Sequence, residues 1–112
     1  MPELAYTVYT TFADAALADE WLRWLRGGHI AEVINGGATD AEIVELDPPA
    51  DAPPGTTRAF EVRYHFPSRE HFARYEQEHA PRLRAEGLKL FPVERGVAYR
   101  RAIGTVVVRG AR

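Results

Sequence analysis

The chain has 112 residues, 46% of them hydrophobic and 11% aromatic, which suits a single domain spanning 1–112 with one core and excludes a disordered chain. Fourteen Lys and Arg against 16 Asp and Glu leave a net charge of -2, so no basic excess points to nucleic acid or an anionic membrane surface. With no cysteine there is no disulfide framework, thiolate metal site or thiol nucleophile. With no apolar run near the ~20 residues of a membrane span, and no basic-then-apolar leader, the expectation is a soluble, cytoplasmic protein.

Residues 4–12 are β-branched and aromatic, with Tyr6, Val8 and Phe12 on one parity, which predicts a first strand. Asp14 then caps a helix whose inward side carries Leu17, Ala18, Trp21, Trp24, Leu25 and Gly28. Gly27-Gly28 should bend it, with one or two further turns from His29 to Ile34 before Asn35-Gly36-Gly37 ends it. A second strand is expected over about 39–47, and a hairpin loop over 48–55, which holds four of the eight prolines. The third strand, 56–66, has strict parity, with Phe60, Val62, Tyr64 and Phe66 facing one way. Ser68 caps the next helix, whose inward stripe is Phe72, Tyr75, Glu76, His79 and Leu83, with a kink from Pro81 just after His79. On its other side Arg69, Arg74, Arg82 and Arg84 alternate with Glu70, Glu78 and Glu86, as a solvated face would. A linker over 88–95 leads into a long last strand, 96–109, in which Gly104 marks a bulge.

The element order is therefore β-α-β-β-α-β, and it falls into two similar halves. Setting His29 over His79 also aligns Leu22 with Phe72, Leu25 with Tyr75, Val33 with Leu83 and Gly37 with Gly87. Right-handed crossovers place both helices on one face of a four-stranded antiparallel sheet, the ferredoxin-like arrangement of an α+β protein. The other sheet face still carries apolar side chains and needs a cover. A second copy of the chain is the simplest one, giving a homodimer through the open sheet face.

The stretch from Glu20 to Val33, with Trp21, Trp24 and His29, and the stretch Tyr75-Glu-Gln-Glu-His79-Ala-Pro81-Arg-Leu-Arg84 resemble a bacterial domain-of-unknown-function family of the dimeric α+β barrel superfamily. The likeness runs over nearly the whole chain, although Ala31 stands where a proline is common in that family. The resemblance implies two ferredoxin-like protomers packed sheet to sheet. It supplies no reaction, since the superfamily spans cofactor-free monooxygenases, isomerases, haem-degrading enzymes and small-ligand sensors.

Several residues are candidates for chemistry in a cavity between helices and sheet. His79 sits in an apolar stripe with Glu76 one turn earlier, and such a pair can act as a general base near neutral pH. His29 occupies the equivalent bend and is expected to face the same cavity. Trp21, Trp24, Tyr6, Tyr64 and Tyr75 provide an aromatic wall for a small planar ligand, or simply a core. Two histidines are too few for a metal site, and Thr7 and Thr10 stand where haem breakdown of the barrel type would call for Asn. The stretch from Arg58 to Tyr64 echoes an RNA-recognition strand only faintly, and ordinary core alternation accounts for it. The expectation is a cofactor-free, metal-free protein with a small-molecule cavity. The same residues also allow an isomerase- or monooxygenase-like enzyme, and a purely structural dimer.

Overall fold

The structure is a computed structural model and describes residues 2–112. Its strands are β1 (Leu4–Phe12), β2 (Asp40–Leu46), β3 (Arg58–Phe66) and β4 (Val97–Thr105). They form one antiparallel sheet in the order β2-β3-β1-β4, with β1 and β3 inside. The helices are α1 (Ala15–Trp24), α2 (Ile30–Asn35), α3 (Arg69–Glu78) and α4 (Ala80–Leu90). They cover one sheet face, and this is the ferredoxin-like fold.

The helix starts follow their caps. Asp14 accepts from the Ala16 N–H at 2.9 Å, and Ser68 accepts from the His71 N–H at 3.3 Å. Between α1 and α2 the chain makes a wide turn, Leu25–His29, in which the Ile30 N–H donates to the Leu25 carbonyl five residues back. Gly28 makes this turn feasible, because its φ of 153° is one that a side chain would strain. The second helix breaks at His79, whose φ is -123°, and Pro81 falls in the first turn of α4, where its missing N–H costs nothing.

Inward-facing strand residues meet the helices in two aromatic groups. Phe12, Phe60 and Trp21 pack at ring distances of 5.1 to 5.8 Å at one end, while Tyr6, Phe66, Phe72 and Tyr75 cluster at the other. Burying each such ring contributes about 2–3 kcal/mol. Between the groups the sheet presents smaller side chains, Val8, Thr10 and Val62, which leave space beneath the helices.

Three expectations for the C-terminal region need correction. The last strand stops at Thr105 instead of Arg109, because its partner β1 begins at Leu4, which pairs with Thr105. One further bond, from the Val106 N–H to the Glu3 carbonyl, ends the pairing. Gly104 pairs with Ala5 in unbroken register, so it marks no bulge. The expected linker is also shorter, since α4 continues to Leu90 before a tight turn at Val93–Arg95.

Candidate functional site

A cavity of about 310 Å³ lies between the sheet and the helices, at the lower end of the ~300–1,000 Å³ range of small-molecule sites. Its floor is Tyr6, Val8 and Thr10 of β1 with Val62 and Tyr64 of β3, and its roof includes Trp24, His29, Tyr75 and Leu83. Leu88, Tyr99 and Arg101 line it while remaining exposed, which puts the mouth between α4 and β4.

Five expected wall residues, Tyr6, Tyr64, Tyr75, Trp21 and Trp24, all line this space. Trp21 also belongs to the core, where it is 3% exposed against Phe12 and Phe60. Burial pushes the hydroxyl pKa of Tyr64 and Tyr75 upward, and the neighbouring tyrosines push it further in the same direction. Tyr64 and Tyr75 therefore stay protonated and present O–H donors near pH 7.

The two histidines part company. His29 is carried inward by the wide turn, and its ring stacks on Trp24 at 4.1 Å. Its Nδ1 is buried with no partner in the protein. Desolvation lowers its pKa from 6.5 to about 4, with Glu32 working against that shift, so the imidazole is neutral at pH 7.

His79, expected beside it, lies outside the cavity lining, with its side chain 35% exposed. The helix break at His79 itself takes the ring out of the inward stripe. It lies parallel to Tyr75 and against Gly36, where a Cβ would come within 3.2 Å of the ring. Glu76 does not line the cavity either; it binds Arg84, and Arg101 stands 3.7 Å from the same oxygen.

Arg84 is the residue that the sequence placed on the solvated face and the structure places in the cavity wall. Glu76 and Arg84 are eight residues apart, about 12 Å along an unbroken helix. Only the break at His79 lets their side chains meet. Arg101 and Thr10 likewise gave no signal beyond strand parity.

Among the described residues, three buried side-chain polar atoms lack a partner: Thr10 Oγ1, His29 Nδ1 and Arg84 Nε. All three belong to residues that line this cavity. No group of three His, Asp or Glu side chains converges as a metal site would require among the described residues. Nor is any described helix long and apolar enough to cross a membrane.

The sequence pattern of a family described as a domain of unknown function, DUF4286, matches residues 4–106. The chain belongs to DUF4286. This DUF4286 protein matches no curated protein by sequence. Its fold is similar to that of a dimeric ferredoxin-like protein from an uncultured marine organism, with a TM-score of 0.66 and 13% identity over 98% of this chain and 100% of that one. A mutant of SnoaB, a cofactor-independent oxygenase from Streptomyces nogalater, superposes with a TM-score of 0.67 at 10% identity over 97% of both chains. A dabb family protein with a ferredoxin-like fold from Mesorhizobium loti gives 0.60 at 16% identity, over 98% of this chain and 100% of that one. These likenesses establish the ferredoxin-like fold of the DUF4286 chain, and its function is uncharacterised.

Proposed function

We propose that this protein is a homodimer that binds a small, partly apolar molecule in the helix–sheet cavity of each protomer. The observation that carries the ligand is that Thr10, His29 and Arg84, all in the lining of one space, each keep a buried polar atom without a partner. A buried polar atom without a partner costs about 1–3 kcal/mol, and a guest with polar groups among these atoms offsets that cost. Apolar contact comes from Trp24, Leu83, Val8 and Val62. The dimer is supported by the sheet face that the helices leave open and by the dimeric ferredoxin-like neighbour.

Native mass spectrometry of gently purified protein tests both parts. The expected species has twice the 12.6 kDa chain mass, plus a small mass that leaves on denaturation. A monomer at micromolar concentration overturns the dimer. A bare protein whose melting temperature is unmoved by a panel of aromatic acids, phenols, amines and neutral aromatics overturns the ligand.

An enzymatic reading is favoured by one specific feature, the buried and unpartnered Nδ1 of His29, a residue of the cavity lining. In that reading His29 takes up the proton, the hydroxyls of Tyr6 and Tyr64 orient the guest, and Glu76 acts from outside by holding Arg84. His79, outside the lining, has a packing role. SnoaB, of similar fold, is a cofactor-independent oxygenase, so proton transfer without a cofactor is the chemistry to look for. Replacing His29 with Gln should abolish turnover of the bound molecule, while the same loss in His79→Ala with His29 intact would reverse the assignment.

A further inference from the structure

We infer that the cavity selects a small organic anion: a flat apolar body with one carboxylate, or a group of like charge, bound at Arg84. This rests on the ligand-binding reading above and narrows its chemical class. The lining contributes two arginines whose side chains face the helix side, Arg84 and Arg101, and no carboxylate, while the Arg100 guanidinium lies over Tyr9 on the other sheet face.

Glu76 is the acid nearest to them, and it is shared. It accepts from Arg84, and the Arg101 Nη1 stands 3.7 Å from the same Oε1. One carboxylate between two guanidiniums leaves a positive charge over. Arg84 keeps a buried Nε with no partner in the protein, and a guanidinium cannot escape that cost by losing its proton. Only an acceptor satisfies it, and an anionic one does so best.

The surroundings agree. Tyr6 and Tyr75 lie close enough to Arg84 to interact with it electrostatically, and their hydroxyls add donors at the same end of the cavity. The stacked rings of Trp24 and His29 give the body of the guest an aromatic wall. A cation there would face the arginines uncompensated, and a neutral hydrocarbon would leave the Arg84 donor unmet.

Isothermal titration calorimetry at pH 7.5 with carboxylate and carboxamide pairs on benzene, naphthalene and indole separates charge from shape. The expected result is that the carboxylate of at least one pair binds about tenfold tighter than its amide, the ratio a charge-assisted hydrogen bond supplies. In Arg84→Gln that ratio should fall to near one. Arg101→Gln, at an exposed strand position, should lower the ratio without removing it, and serves if the first variant does not fold. Equal binding of acid and amide overturns the anion, and an undiminished ratio in both variants overturns its seat at Arg84, each leaving the cavity reading in place. Binding by neither member of any pair, together with an unmoved melting temperature, overturns both.

Discussion

The chain's four histidines have four environments, and only the environment separates their roles. His65 on β3 meets Asp40 of β2 at 2.7 Å across the open sheet face, and His71 bonds the Ser68 hydroxyl at 2.7 Å beside the start of α3. His79 packs on Gly36 and Tyr75, and His29 alone is desolvated without a partner. The consequence for His29 is a defined pH dependence. In the unfolded chain this ring takes up a proton near pH 6.5, and in the folded one only near pH 4. Between those values the unfolded state binds more protons, so stability falls as the pH drops from 6.5 towards 4, by at most about 3 kcal/mol once below it. The denaturation midpoint of the wild type should therefore fall more steeply across that window than that of His29→Phe. Parallel curves for the two would mean that the ring is solvated.

Among the elements, the two helix interruptions decide the site, and they were legible to different degrees. The Gly27-Gly28 pair and Pro81 mark where the helices break, and the breaks fall there. What each break does to the side chains beside it was not legible, because a change of one backbone angle swings everything that follows. The wide turn before α2 takes His29 in, and the break before α4 takes His79 out, although the two positions align in the half-repeat. The glycines differ as sharply. Gly28 has a φ of 153°, while a Cβ at Gly27 would meet nothing within 4 Å. Gly28→Ala is expected to destabilise by about 1–2 kcal/mol and to disturb the Trp24–His29 stack, whereas Gly27→Ala should be neutral or stabilise by up to about 1 kcal/mol. Chemical denaturation of the pair checks this, and equal effects would mean that the wide turn is not held as described.

At the scale of the whole molecule, a sheet covered on one face poses the question of its other side. That face carries Tyr9 at its centre, with Arg100 stacked over the ring at 4.4 Å, between β3 residues Glu61 and Arg63 and the half-exposed Val44 of β2. If two such faces meet, a charge on Tyr9 is buried against its symmetry mate. Tyr9→Asp is therefore expected to run as a single 12.6 kDa chain in size-exclusion chromatography at concentrations where the wild type is a dimer. A variant that stays dimeric would place the contact elsewhere, the exposed Tyr99 and Ile103 of edge strand β4 being the next apolar surface.

Strand parity, helix caps and Pro and Gly placement are local signals, written within a few residues of where they act, and from them the six-element order and the ferredoxin-like fold could be read. The aromatic walls followed from the same periodicity, since parity alone puts Tyr6 and Tyr64 on the helix side of the sheet. Where β4 ends depends on where β1 begins, a hundred residues away in the chain. The polar side of the site was decided later still. Arg84 reaches Glu76 only across a broken helix, Arg101 joins them from the last strand, and the pKa of His29 falls only because other elements close over it. Those are consequences of packing between distant segments, and desolvation, unlike periodicity, has no local sequence signature.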